Sequence, residues 1–314
     1  MTTSADKPIS VLIKEKAADL GFDLCGIAPS DILVEQESVL RGWCSAGMNG
    51  DMGYLERDIE KRINPGQLFP GAKSVIVTGL NYYTSKKQRG VGVPLISKYA
   101  YGIDYHDVIK EMLSELLSFI KVLSPETEGK ICVDSAPLLE KAWAQKAGLG
   151  WPGRHSILVN DKIGSYFFLG VLVVNSKMEY DLPSGEDHCG NCRLCIDSCP
   201  ACAINNNRTI DARKCISYLT TVSKSPVPEE LVPELKGMVF GCDICQDVCP
   251  WNKNAQQHKI PEFELPEKIE IMNSNEWIRL SEEQFKVLFR RSPIARRKYH
   301  LFRENVTNVT KFNG

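Results

Sequence analysis

The sequence predicts a mixed chain, α+β to α/β in class, built in three parts. These are an N-terminal α/β domain over residues 1–180, a compact cysteine-rich module over 181–253, and a short, mainly helical segment over 254–314. Three observations predict this division. Apolar runs of strand length alternate with helix-period segments through the first part. Two cysteine runs, each closed by Cys-Pro, fall between Cys189 and Pro250. Beyond them the apolar residues return at helical spacing only.

Each element has its own warrant. Residues 9–20 carry apolar side chains at helical spacing and stop at Gly21, a natural C-cap. Residues 22–28 form a short apolar run before Pro29, the pattern of a strand. Gly66, Pro70 and Gly71 punctuate a loop, and Ser74-Val75-Ile76-Val77-Thr78 then predicts a strand over 73–80. Residues 104–123 give the clearest helix, with Asp104 as N-cap and Val108, Met112, Leu116, Phe119, Ile120 and Leu123 as its apolar stripe. A strand over 130–134 delivers the carboxylate of Asp134 at its end. Residues 138–147 are helical up to Gly148. Residues 156–160 and 165–174 read as a strand pair joined through 161–164. Pro183 and Gly185 mark 181–187 as a linker, and helices are expected over 281–289 and 295–305.

The chain has 314 residues and a formal net charge of −1, so no global field draws it to nucleic acid or membrane, and any such partner must meet a local patch. Twelve cysteines in this context favour a reducing compartment. Met1–Ser10 carries neither a twin-arginine pair nor an apolar signal core, and the longest apolar run, Tyr166–Val174, falls far short of the roughly 20 residues a membrane span needs. The expectation is a cytoplasmic protein without a membrane partner.

The cysteine spacing carries the chemistry. Cys189, Cys192, Cys195, Cys199 and Pro200 form C-x2-C-x2-C-x3-C-P, the run of bacterial two-cluster ferredoxins. Cys242, Cys245, Cys249 and Pro250 repeat its tail without a leading cysteine, and Cys215 fills that place. Eight thiolates suffice for two 4Fe–4S clusters in a ferredoxin-like module. The ferredoxin exchange rule gives Cys189, Cys192, Cys195 and Cys249 to one cluster and Cys199, Cys215, Cys242 and Cys245 to the other. Zinc knuckles or disulfides are the competing reading, but zinc sites are not usually spaced this way. Cys202 reads as a small buried residue.

Other motifs are absent or open. Gly90-Val91-Gly92 lacks the third glycine of a dinucleotide fingerprint and runs into Pro94, and there is no P-loop. Asp104-Tyr105-His106 has a superficial likeness to a cobalt-ligating D-x-H-x-x-G, but Ile109 stands where the glycine belongs, so His106 reads as a helix-face residue. Gly148, Gly150 and Gly153 surround Trp151, and Arg154, His155 and Ser156 follow. This is either a loop that brings backbone amides to a large ligand or a turn around a half-buried tryptophan. Asp134 is either an N-cap for a helix starting near Pro137 or an acid.

Seven stretches make a resemblance specific: VDSAPLLEKAWAQKAGLGW (133–151), GSYFFLG (164–170), the cysteine pattern, CISYLT (215–220), GCDICQDVCPWN (241–252), YAYGIDYH (99–106) and RRSPIARRKYHLFREN (290–305). They resemble the epoxyqueuosine reductase family, and the resemblance covers most of the chain. The resemblance implies a cobalamin-binding α/β domain and two 4Fe–4S clusters that feed cob(I)alamin. It implies reduction of the epoxide of epoxyqueuosine at the tRNA wobble position to queuosine, with the anticodon loop as partner. An external electron donor such as ferredoxin or flavodoxin is also implied. Asp134 would be the proton donor, which calls for a raised pKa from burial beside an apolar corrin. Cobalamin contacts fall on Arg57, Lys98, Asp134, Gly153, Arg154, His155, Ser156, Leu158, Ser165 and Ser217, with no histidine ligand to cobalt. Trp151-Pro152-Gly153-Arg154-His155 departs from the family's more usual Trp-Ile-Gly-Lys-Asn, and Cys202 from a small non-cysteine residue.

The cations Arg290, Arg291, Arg296, Arg297, Lys298 and Arg303, interleaved with Tyr299 and Phe302, suit phosphate contact with stacking, or a solvated basic face. Two rival readings remain at this level: a reductive-dehalogenase-like corrinoid reductase, and a non-catalytic electron-transfer module on an unrelated carrier.

Overall fold

A computed structural model describes residues 7–185 and 187–312. The Met1–Ser10 stretch and the 181–187 linker therefore lie partly outside the described residues. In chain order the elements that place the site are α1 (Ile9–Asp19), β1 (Leu24–Pro29), β2 (Ser74–Asn81), β3 (Leu95–Ile96), α2 (Tyr105–Leu123), β4 (Gly129–Cys132), α3 (Glu140–Lys146), β5 (Trp151–Pro152), β6 (Leu158–Val159) and β7 (Phe167–Val174). After them come α4 (Ile216–Thr221), β8 (Met238–Phe240), α5 (Glu282–Leu288) and α6 (Tyr299–Phe312).

β2 and β7 are apolar on both faces and must be covered on both. They form the middle of a four-stranded sheet in the order β1-β2-β7-β4, with every neighbouring pair antiparallel. On one face Ile27, Ile76, Leu172 and Val174 pack against Ile13 and Ala17 of α1 and against Ile109, Leu113, Leu116 and Ile120 of α2. On the other, Val75, Val77, Val171 and Val173 pack against Trp143 and Ala144 of α3. A third core joins Ile96 and Tyr101 to Val239, Phe240, Trp277, Phe285, Phe289 and Phe302. There β3 pairs in parallel with β8, so a piece of the N-terminal half is built into the C-terminal core.

The structure differs from the sequence reading in three places. The α2 stripe is turned: Ile109 and Leu113 are buried, while Val108, Met112 and Phe119 are half-buried and Leu123 is exposed. The cause is Gly170 on β7, where an added Cβ would lie 2.5 Å from Ile109 Cγ2 and 3.0 Å from Leu113 Cδ1. The helix seats itself at the bare backbone, and that contact sets its rotation. The strand expected over 130–134 ends at Cys132, leaving Asp134 in the bend beyond it. β6 pairs with β5, not with β7, and only an Asn160–Gly164 bridge remains of the expected hairpin.

Candidate active site and thiol sets

Each cysteine run makes a turn and then a single helical turn, Leu194–Asp197 in the first and Ile244–Asp247 in the second. Cys189, Cys192, Cys195 and Cys249 line a cavity of about 260 Å³, completed by Arg154, His155, His188, Pro250 and Trp251. The other four thiols also gather. Burial pushes the Cys245 thiol well up, and Cys242, Cys215 and Cys199 add to it as nearby charges. Burial likewise pushes Cys242 up to about 12, with Cys215 and Cys199 contributing. All twelve cysteines are free thiols. The cavity is lined by the four cysteines that the exchange rule puts together, while Cys245 has Cys195 of that set among its neighbours as well as Cys242, Cys215 and Cys199. Four thiols crowded around a void, with burial pushing Cys195 and Cys249 up, fit a cationic iron–sulfur core that would hold them as thiolates. Cys202 is exposed, not buried, and adopts a left-handed backbone with φ +48°. It takes no place in either group.

A second constellation lies at the start of α2. Asp104 caps the helix, its Oδ1 accepting from the His106 backbone N–H at 3.1 Å. The same oxygen lies 2.6 Å from His106 Nδ1, and Oδ2 accepts from Arg296 at 2.6 Å. The other ring nitrogen, His106 Nε2, is 3.1 Å from Asp134 Oδ2, which also accepts from the Tyr105 hydroxyl at 3.1 Å. His106 is 3% exposed and the Asp134 side chain 61%, so a buried imidazole stands directly behind an open carboxylate. Asp134 holds φ +53°, a left-handed conformation that costs a non-glycine residue about 1 kcal/mol. Its N–H donates to Glu140 Oε1 at 2.6 Å. With the two side-chain bonds, each worth about 1 kcal/mol, this outweighs the strain.

The electrostatics correct the expected acid. The hydrogen bond from His106 holds the Asp134 carboxyl below its usual range, against the opposing effect of burial. Burial works against the His106 imidazolium, but its bonds to Asp104 and Asp134 outweigh that and raise its pKa. Across the Nε2–Oδ2 contact the imidazole and the Asp134 carboxylate thus favour each other's charged forms. The carboxyl that is pushed up is Glu140, to about 8, by burial and then by Asp134. His106 is thus no simple helix-face residue, and Asp134 caps no helix. Sequence reasoning gave no role to Tyr105 or Glu140, set His106 aside as a helix-face residue and counted Arg296 among cations for phosphate; the Asp-Tyr-His start of α2 was the local signal of Tyr105 and His106.

The remaining expected contacts separate. Lys98 is half-buried, 2.8 Å from Asp247 and 3.4 Å from Asp243, and its ammonium lies over the Tyr166 ring. It braces the second cysteine run. The backbone N–H of Ser217 bonds the Cys215 thiol. Ser165 is fully buried, and its hydroxyl is engaged by Asn252 and Gln246 at 2.9 and 3.1 Å. Leu158 and His155 are also buried, and Gly153 packs against the His155 ring. Arg154 donates to the Gly190 carbonyl at 2.6 Å, and Ser156 accepts from Lys141 at 2.8 Å. Arg57 is exposed at the end of the short helix Tyr54–Arg57, whose Tyr54 feels the charge of Asp134. Tyr99 feels both Asp134 and Asp243, so it lies between the acid constellation and the second thiol set.

The basic segment is dispersed by folding. Arg297 is 4% exposed and donates to the carbonyls of Ser223 and Leu219. Arg296 is paired with Asp104. Phe302 is buried, and the Tyr299 hydroxyl bonds the Leu280 carbonyl. Arg290, Arg291, Lys298 and Arg303 stay exposed.

Comparison with known proteins places this geometry. Residues 62–135 match a family model described as epoxyqueuosine reductase QueG, DUF1730, and residues 188–252 match the 4Fe-4S double cluster binding domain. An epoxyqueuosine reductase of Cyclobacterium marinum is 42% identical over 94% of this chain and 94% of its own length. That of Escherichia coli is 37% identical over 90% of this chain and 76% of its own length. A crystal structure of an epoxyqueuosine reductase with an epoxyqueuosine-modified tRNA stem loop superposes with a TM-score of 0.90 at 30% identity, covering 96% of this chain and 81% of that one. One from Bacillus subtilis, with its catalytic loop swung out of the active site, gives 0.89 at 30% identity over the same shares.

Proposed function

The chain belongs to the epoxyqueuosine reductase family, and from that premise we infer that it reduces the epoxide of epoxyqueuosine in tRNA to the alkene of queuosine. The observation that carries the reading is an open carboxylate, Asp134, backed by a buried imidazole, with Tyr99 close to both it and Asp243 of the second cysteine run. The reaction breaks two C–O bonds, forms one C=C bond, and consumes two electrons and two protons, the oxygen leaving as water. When bound, cobalamin supplies the two-electron reduction, and the two 4Fe–4S clusters feed it one electron at a time.

The residues of the chain do the rest. Cys189, Cys192, Cys195 and Cys249 hold one cluster; Cys199, Cys215, Cys242 and Cys245 hold the other, nearer Asp134. The cobalamin side is formed by Arg57, Lys98, Arg154, Ser156 and Ser217 at its polar edges. Gly153, His155, Leu158 and Ser165 lie beneath that surface as support. Tyr54, Tyr99 and Tyr105 give the aromatic wall that a flat macrocycle requires. Asp134 Oδ2 receives the proton held at His106 Nε2 and passes it to the epoxide oxygen as the ring opens. Asp104 and Arg296 fix the imidazole for that transfer, and Glu140 fixes the Asp134 backbone.

The tRNA anticodon loop is met by local charge, for which Arg290, Arg291, Lys298 and Arg303 are the exposed candidates. Electrons come from an external one-electron donor such as a ferredoxin or flavodoxin. No helix among the described residues is long and apolar enough to cross a membrane, and the free thiols suit a reducing cytoplasm. The test is incubation with tRNA carrying epoxyqueuosine, cobalamin and a chemical reductant, followed by nucleoside mass analysis. Conversion to queuosine is expected, and unchanged nucleoside with both cofactors bound rejects the reading.

A further inference from the structure

The wall of the first thiol cavity contains a group that ligand spacing does not account for. His155 is 1% exposed, and its imidazole lines the cavity with Cys189, Cys192, Cys195 and Cys249. Its tautomer is fixed by the backbone: Nδ1 accepts the Ile157 N–H at 3.2 Å. The ring proton therefore sits on Nε2, and Nε2 is buried without a partner in the protein. A buried N–H left unpaired is costly, and native structures avoid it unless something absent from the protein atoms receives it.

The surroundings are built for that ring. An added Cβ at Gly153 would fall 2.7 Å from His155 Cε1 and 3.1 Å from Nδ1, so the glycine leaves the space the imidazole fills. Trp251 and His188, with Trp151 behind them, close the same cavity by edge-to-face packing, with ring centroids 4.6 to 5.8 Å apart.

We propose that His155 donates its Nε2–H to a sulfur of the iron–sulfur cluster held by Cys189, Cys192, Cys195 and Cys249, and so raises that cluster's reduction potential. The proposal rests on the cluster reading above. Its physical basis is simple: the reduced cluster carries one more negative charge than the oxidised one, and an N–H dipole aimed at sulfur stabilises it more. His155 thus positions charge around the entering electron. It also gives the Arg154-His155 departure from the family's usual Lys-Asn a function specific to this chain.

The experiment uses the full chain with both clusters reconstituted. Iron is counted in every sample, and each cluster is titrated against potential by electron paramagnetic resonance. His155→Leu removes the donor; His155→Gln places an amide N–H close to where Nε2 stood. The leucine variant is expected to lower one cluster's midpoint by about 59 mV, a tenfold change in its reduced-to-oxidised ratio for one electron. The second cluster should not move, and glutamine should recover most of the shift. A full iron count with no shift in the leucine variant overturns the proposal while leaving the cluster reading intact. A wild-type chain that takes up no iron overturns both. If the leucine variant fails to assemble, pulsed resonance on the wild type with isotope-labelled histidine decides. A ring-nitrogen coupling to the reduced cluster is expected, and its absence overturns the proposal.

Discussion

Asp134→Asn separates the proton from everything else Asp134 does. Asparagine is among the few residues that tolerate the φ of +53° found here, so the bend keeps its shape. The backbone bond to Glu140 is untouched, and the amide oxygen still accepts from Tyr105. What disappears is the carboxyl that takes the proton from His106. General acid help is worth about 10²–10⁴-fold, or about 2.7–5.4 kcal/mol of barrier at 1.36 kcal/mol per tenfold. Epoxide reduction in single turnover should fall by that factor. Iron content and the cobalamin spectrum should be those of the wild type. The pH profile adds a sign. His106 has a raised pKa, so the wild-type proton is in place below it and is lost as pH rises through it. The wild-type rate should therefore decline with rising pH while the residual Asn rate stays flat. Near-normal turnover by the Asn variant with its cofactors bound would refute the reasoning.

Four further outcomes follow from the same structure. Reconstituted protein should hold about eight iron atoms per chain, Cys202→Ser should leave that count unchanged, and Cys199→Ser should alter only the cluster of Cys215, Cys242 and Cys245 in its resonance spectrum. Glu140 keeps its proton to about pH 8 when folded but ionises near its ordinary 4.5 when unfolded, so it subtracts stability as pH rises between those values. Glu140→Gln should then match the wild-type Tm at about pH 4 and exceed it increasingly toward pH 8; a pH-independent difference would contradict this. Arg297→Met should cost about 1–3 kcal/mol in denaturant melts by leaving the Ser223 and Leu219 carbonyls short of a donor. Arg290→Ala with Arg291→Ala should leave the melt unchanged and weaken tRNA binding with a shallower salt slope.

The fold was legible where local pattern and burial coincide. β2 and β7 are rich in apolar residues on both faces and buried at nearly every position, so no partner choice could hide them. The cysteine groups were legible because ligand spacing is a local property and the exchange rule supplies the long-range part. The α2 stripe was not, because its rotation is decided by Gly170, a missing side chain on a strand far along the chain. The β5–β6 pairing was hidden for a related reason: four residues suffice for it, too few to show a period.

The proton-handling site shows the same limit more sharply. Asp104 and His106 are neighbours in sequence, but the carboxylate that gives His106 its meaning lies 28 positions on and the guanidinium that steadies it 190. From the sequence alone His106 can only be weighed against a failed cobalt motif. Asp134 was singled out as a carboxylate closing a strand, which in fact ends at Cys132, and its acidity was expected to come from its own burial. The fold instead leaves Asp134 open and lowers its pKa through the hydrogen bond with the imidazole behind it. The raised carboxyl is Glu140, whose task is to hold the loop. On the proposed mechanism the group that touches the epoxide need not be the one that stores the proton. Arg296 and Arg297 teach the same lesson from the other side. Adjacent in a basic run, one is spent on Asp104 and the other on two backbone carbonyls, and neither is left for phosphate.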